Sequence, residues 1–158
     1  MAGGLQFRLA DAEAQEAWGT HLAAACPANA LIFLEGDLGA GKTTLVRGFL
    51  RGRGHAGSVR SPTYTLIEPY ELATGTVYHL DLYRLGHGEE LEYLGLRDLL
   101  AETAVLLIEW PERAVGWLPE PDLRVRIRHL PQGRELTVTA GSAAGARILE
   151  QLPAGDVR

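Results

Sequence analysis

Residues 30–50 read ALIFLEGDLGAGKTTLVRGFL. The opening run, 30–36, is nearly all apolar, which is the pattern of a strand buried on both faces of a parallel sheet. Behind it Gly36, Gly41, Lys42 and Thr43 fall at the spacing G-x-x-x-x-G-K-[ST], and residues 42–51 read as a helix. A strand ahead and a helix behind are the context this spacing requires to be a phosphate-binding loop. Glycines let the backbone curl until consecutive N–H groups converge on an anion. The helix N-terminus adds its partial positive charge. The nucleotide-binding candidates are therefore Gly36, Leu38, Gly39, Ala40, Gly41, Lys42, Thr43 and Thr44, with Lys42 reaching the β- and γ-phosphates and Thr43 offering its hydroxyl to magnesium.

Lys42 is the single lysine of the chain; the rest of its 15 Lys and Arg residues are arginine. Arginine is a rigid planar fork, whereas lysine is a compact charge on a flexible stem. A generic surface cation in this chain would be arginine. Inside a curled loop the guanidinium does not fit, so the lysine is held by the shape of a phosphate site.

The remaining composition sets bounds. With 158 residues, the chain suits one domain, 1–158, with room for a real core. Hydrophobic residues at 46% and charged residues at 22% are near globular averages. A net charge of −5 argues against a protein whose main task is wrapping nucleic acid, while leaving room for a local basic patch. Cys26 is the lone cysteine, so no intrachain disulfide can form, and it reads as a small buried hydrophobe. The first twenty residues carry no long apolar stretch and become acidic early, so no signal peptide is expected. No window approaches ~18 consecutive apolar residues, so no membrane span is expected and a cytoplasmic location follows.

Around the loop, the sequence alternates between strand and helix patterns. Residues 5–9 (LQFRL) form a short strand, and Asp11 caps a helix running to about Cys26. Residues 52–62, GRGHAGSVRSP, are loop. TYTLIEPYEL and GTVYHLDLYRL pair as a hairpin across ATG; residues 88–100 are helical, divided by Gly95. AVLLIEW is a second buried strand, followed by a turn begun by Pro111. DLRVRIRHL and RELTVTA form another hairpin, and residues 142–152 close the chain as a helix. The expected architecture is a three-layer P-loop α/β domain with a mixed, largely parallel sheet plus antiparallel hairpins.

A phosphate loop needs an acid at the end of a buried strand to hold magnesium. Asp81 ends VYHLD and Glu109 ends VLLIE. The more continuously apolar run favours Glu109 for the metal, and Asp81 suits a less buried place near the attacking water; both remain candidates. Thr63, after Ser61 and Pro62 and a glycine-rich loop, is a third candidate that could complete the coordination in a triphosphate-bound state, or simply start a strand. Guanine readers use N-K-x-D, which a chain with one lysine, already assigned, and one asparagine, Asn29, does not contain; ATP is the expected nucleotide. Lys42, Arg47, Arg51, Arg53 and Arg60 form a run without an acid, readable as a tRNA or partner contact or as a solvated face. Arg124, Arg126 and Arg128 read as an outward strand face, with a binding role or a blunted sheet edge as alternatives. The five histidines show no metal spacing, and His79 reads as structural.

GDLGAGKTTLVRGFL, SPTYTLIEPYE, YHLDLYRL, EELEYLGL and LIEWPER stand in the order and spacing of the TsaE (YjeE) family, which the chain resembles over about residues 30–113. The resemblance implies a small ATPase of bacterial tRNA threonylcarbamoyladenosine biosynthesis. It implies Thr43 and Glu109 as magnesium ligands, Asp81 as a catalytic or metal-proximal acid, Ser61 and Thr63 in a switch-like loop, and Trp110 supporting the site. The implied partners are TsaB and TsaD, with hydrolysis resetting the complex that modifies the adenosine beside the anticodon. Two rivals remain: a small-molecule or nucleotide kinase, with 52–60 as an arginine-bearing lid, and a nucleotide sensor that scarcely hydrolyses ATP. Arg84 or a partner's residue could act as an arginine finger. A Lys42→Arg protein should fold with an unchanged far-UV circular dichroism spectrum yet lose ATP binding or turnover; full activity would overturn the reading of this lysine.

Overall fold

A computed structural model of the chain describes residues 4–59, 61–62 and 65–153. Its elements are β1 (Leu5–Leu9), α1 (Ala12–Ala25), β2 (Ala30–Gly36), α2 (Lys42–Gly52), β3 (Ile67–Leu72), β4 (Gly75–Asp81), α3 (Glu90–Tyr93), α4 (Leu96–Ala101), β5 (Ala104–Glu109), a 3₁₀ turn (Pro111–Ala114), β6 (Leu123–His129), β7 (Arg134–Ala140) and α5 (Ala143–Gln151). Helix starts follow the capping residues: the Asp11 side chain accepts from Ala14 N–H, and the Ser142 side chain from Gly145 N–H. Gly95 divides the 88–100 segment as expected, its φ of 84° supplying the left-handed turn between α3 and α4.

The strands form one seven-stranded sheet in the order β1-β7-β6-β2-β5-β4-β3. β2 is parallel to both β5 and β6, and β4 is parallel to β5. The two hairpins, β3–β4 and β6–β7, and the pairing of β1 with β7 are antiparallel. The sheet is thus mixed, with a parallel centre and antiparallel flanks. β6 lies between β2 and β7, so Arg124, Arg126 and Arg128 do not blunt an edge. Arg124 and Arg126 pair with Glu35 on β2, and Arg128 with Glu135 on β7.

Strand parity divides the interior into two cores. Ile32, Leu34, Val105 and Leu107 face α1, α2 and α5 and pack with Trp18, Leu22, Leu45 and Phe49. Leu31, Phe33, Leu106 and Ile108 face the other way and pack with Leu82, Leu91, Leu96 and Ala114. Successive strand residues point to opposite faces, so an uninterrupted apolar run is what covering both faces demands. Three layers result. Cys26 is buried at the end of α1, and burial pushes its thiol up to about 11. Among the described residues no helix is long and apolar enough to cross a membrane.

Helices α1 and α2 meet backbone to backbone, through glycines. A Cβ at Gly19 would stand 2.2 Å from Leu45 O, and one at Gly48 would stand 1.9 Å from Glu16 O. Thr20 Oγ1 donates to Gly48 O across the same seam at 3.0 Å. A Gly48→Ala protein must push the helices apart, and overpacking of this kind destabilises by about 1–3 kcal/mol or more. Urea unfolding should show that loss as a lower midpoint with an unchanged slope; a midpoint at the wild-type value would mean the seam can open freely.

Candidate functional site

The three central strands end together. β2 runs into the glycine-rich loop, and its Leu34 lies beside Glu109 of β5, which in turn lies beside Asp81 of β4. Ligands of open α/β sheets sit outside the carboxyl ends of such strands. Here an open cavity of about 540 Å³ is lined by residues 38–44 of the loop, Ser61, Asp81, Tyr83, Arg84, Glu109 and Trp110. Of the site residues read from sequence, Gly36 ends β2 and does not line this cavity, and Leu38, Gly39, Ala40, Gly41, Lys42, Thr43, Thr44, Ser61, Asp81, Glu109 and Trp110 line it. Thr63 and Arg60 lie outside the described residues.

Lys42 is the first residue of α2 and is buried. Its ammonium donates to Gly36 O and to Asp37 O, and it sits 4.1 Å from the centre of the Trp110 ring. Burial lowers its pKa from the ordinary lysine value, while the charges of Glu109, Glu112, Asp81 and Asp37 oppose that shift. The acids therefore offset part of the cost of desolvating the ammonium. Thr43 Oγ1 donates to Glu109 Oε2 at 3.3 Å. On the other side the same oxygen receives His79 Nε2–H at 2.6 Å. His79 is fully buried, and its Nδ1 has no hydrogen-bond partner among the described residues.

Asp81 and Glu109 are both nearly buried, 8% and 3% exposed, so the difference in burial expected between them is small. They differ in what they touch. Glu109 meets the hydroxyl at the start of α2, whereas Asp81 accepts from Ser61 Oγ at 2.9 Å and from Tyr83 N–H at 3.1 Å. Trp110 takes a left-handed conformation, φ 58°, immediately after Glu109. Such a conformation in a bulky residue costs about 1–3 kcal/mol and persists where the surroundings hold it. Its indole packs at 4.9 Å on Tyr83, and the Arg113 guanidinium lies over both rings.

Thr43, Glu109 and Asp81 offer the hard oxygen donors that magnesium takes. Among the described residues no group of three or more His, Cys, Asp or Glu is placed to hold a metal. That donor set fits an ion bound through one or two protein oxygens together with substrate phosphates, the usual arrangement for magnesium.

The basic run divides. Arg53 is buried and donates to Ala23 O, Cys26 O and Pro27 O, closing the end of α1. Arg51 donates to His55 O and Gly57 O within its own loop. Neither is arranged as a lid over the phosphate loop. Sequence reasoning missed Gln15 and Arg134, which donate to the loop carbonyl Ala40 O at 3.0 and 3.1 Å. It also read His79 without its bond to Glu109. The signal for His79 was its place two residues before Asp81, on the same face of β4. Gln15 and Arg134 lie 25 and 94 residues from Ala40 and gave none.

A buried strand, a lysine-bearing glycine loop and acids on the neighbouring strand ends define a P-loop NTPase-like protein. Residues 9–136 match the family described as "Threonylcarbamoyl adenosine biosynthesis protein TsaE". A Haemophilus influenzae protein named "tRNA threonylcarbamoyladenosine biosynthesis protein TsaE" is 49% identical over 119 residues, 75% of each chain. A Bacillus subtilis protein of the same name is 35% identical over 153 residues, 96% of each chain. The crystal structure of Bacillus subtilis YdiB superposes with a TM-score of 0.83 at 32% identity, covering 96% of this chain and 95% of that one. The chain belongs to the TsaE family.

Trp110 gives the site an optical reporter, because phosphates entering beside Lys42 must change the charge over its ring. Adding ATP with magnesium should alter tryptophan fluorescence, and Trp110→Phe should remove most of the change, since Trp18 lies in the core and Trp117 does not line the cavity. An undiminished signal from the variant would show that the Lys42–Trp110 contact is not coupled to ligand entry.

Proposed function

We propose that the chain is a magnesium-dependent ATPase of tRNA threonylcarbamoyladenosine biosynthesis, working as a single domain on a TsaB–TsaD complex whose turnover it supports or resets. The observation that carries this reading is the convergence of Lys42, Thr43, Glu109 and Asp81 on one cavity at the ends of β2, β5 and β4. Family membership and the names of the relatives supply the pathway.

In this reading residues 38–44 cradle the phosphates, and Lys42 moves from Gly36 O and Asp37 O onto the β- and γ-oxygens. Thr43 and Glu109 are the residues that would hold magnesium, which would neutralise the phosphate oxygens when bound. Water forms a bond to the γ-phosphorus as the bond to the bridging oxygen of ADP breaks. Lys42 and the loop amides stabilise the charge that develops. Asp81 orients the water, and its bond to Ser61 ties that water to the 52–62 loop; the family resemblance assigns Ser61 and Thr63 to a switch-like segment. Trp110 holds the site beside Glu109. Turnover is slow until partners complete the site, either by placing Arg84 or by lending an arginine of their own. Any tRNA contact passes through the partners or through what remains exposed of the basic run. The chain works in the cytoplasm.

The test is a pull-down with TsaB–TsaD in the presence and absence of ATP and magnesium, with phosphate release measured on the same samples. The reading expects nucleotide-dependent association and stimulated release. No association under any nucleotide condition would overturn the pathway assignment. Glu109→Ala separates the ATPase from a pure sensor: the ATPase loses about 10²-fold or more in turnover, the scale seen when a single transition-state stabiliser is removed. A sensor loses only binding or association.

A further inference from the structure

Two side chains from opposite ends of the chain hold the back of the phosphate loop. Gln15 in α1 and Arg134, the first residue of β7, both donate to Ala40 O, and Arg134 also reaches Gly39 O at 3.3 Å. Gln15 is one of the few buried polar residues, 4% exposed. A primary amide is not buried there without a partner, and its partner is the loop. The approach is close enough to dictate the loop's own sequence. A Cβ at position 41 would stand 2.1 Å from Gln15 Nε2, and Gly41 has φ 105°.

We propose that Gln15 and Arg134 are positioning residues for phosphate binding: by fixing the carbonyls of Gly39 and Ala40 on the α1–β7 side, they aim the Gly41 N–H at the anion. This deepens the ATPase reading and rests on it. The reasoning is planarity. No peptide bond among the described residues is cis, and a trans peptide points its N–H opposite its C=O. The Gly39–Ala40 peptide is pinned at both ends, its carbonyl by Arg134 and its N–H by Asp37 O at 3.1 Å. The Ala40–Gly41 peptide is held by two donors at its carbonyl. Its N–H therefore faces away from α1 and β7, toward the cavity that Gly41, Lys42 and Thr43 line.

Without the clamp the glycine at 41, free to rotate, can turn that carbonyl toward the phosphates, replacing a donor by a like-charged dipole. The Arg134 charge also stands directly behind the loop, adding to its positive field. Neither residue touches the reacting atoms. Both act on the phosphates through the backbone.

The experiment uses the full chain, with binding of ATP and of inorganic tripolyphosphate measured by calorimetry in magnesium. Gln15→Leu and Arg134→Met should each weaken both ligands by ~10-fold, the scale of one hydrogen bond in a buried setting. The double variant should weaken them further. Amide exchange of peptides covering 37–44 should quicken in the ligand-free variants, while β2 and β5 stay protected. Arg134→Lys, which keeps the charge but not the fork, should recover only part of the affinity.

Unchanged tripolyphosphate affinity in the single variants would overturn the proposal. So would a loss confined to ATP, since that would place these residues on the nucleoside. Should the double variant fail to fold, the singles decide, because each leaves one donor on Ala40 O. If the wild-type protein bound neither ligand, the ATPase reading itself would fall, a result distinct from a clamp that proves irrelevant.

Discussion

The structure depends on placing one lysine side chain out of water among acids. Lys42 is buried against loop carbonyls and an indole, where desolvation works against its charge. Glu109, Asp81, Glu112 and Asp37 oppose that penalty from four places in the chain. A buried charge is tolerable only with such company. The acids in turn are tolerable at 8% and 3% exposure because the lysine, Thr43, Ser61, Tyr83 N–H and His79 stand around them. The site is thus a connected electrostatic set. In the proposed function a triphosphate with its cation enters by exchanging partners within it, breaking the bonds between Thr43 and Glu109 and between Lys42 and Gly36.

That arrangement needs the strands to end level and on one face, which the parity of the sheet ensures. His79, Asp81, Leu107 and Glu109 sit on the face that carries Ile32 and Leu34, and α2 lies over that face with Lys42 and Thr43 at its start. Slipping β4 by one residue would turn Asp81 and His79 to the opposite core. The glycine seam between α1 and α2 does related work from the other side. It brings α1 close enough for Gln15 to reach Ala40 O, so the packing of two helices reaches the orientation of a peptide in the loop.

What was legible in the sequence was what is local. The uninterrupted run 30–36 gave a buried strand, the glycine spacing gave the loop, Asp11 and Ser142 gave helix starts, and Gly95 gave the break between α3 and α4. The two hairpins were legible because their turns are short and their strands alternate. Strand order was not, since nothing in DLRVRIRHL says that it will lie between β2 and β7 rather than at an edge. Alternating arginines look alike on an edge and on an interior strand. They are settled here by Glu35 and Glu135, which lie on neighbouring strands.

The same division holds within the site. Residues that act through the loop's own chemistry could be read from spacing, and Glu109 and Asp81 from the apolar runs they end. Gln15, Arg134 and the bond of His79 to Glu109 act across the fold, and their residue types carry no mark of it. The basic run shows the same limit: its sequence admits a contact or a solvated face, and it does not show that Arg51 and Arg53 bond backbone carbonyls. A cation's meaning is fixed by its nearest acceptor: Arg124, Arg126 and Arg128 take carboxylates, whereas Arg51, Arg53 and Arg134 take backbone oxygens. Lys42 ends on the same kind of acceptor, Gly36 O and Asp37 O, but with an open cavity in front of it. In the proposed function that cavity, more than the charge, separates a ligand-binding cation from a structural one.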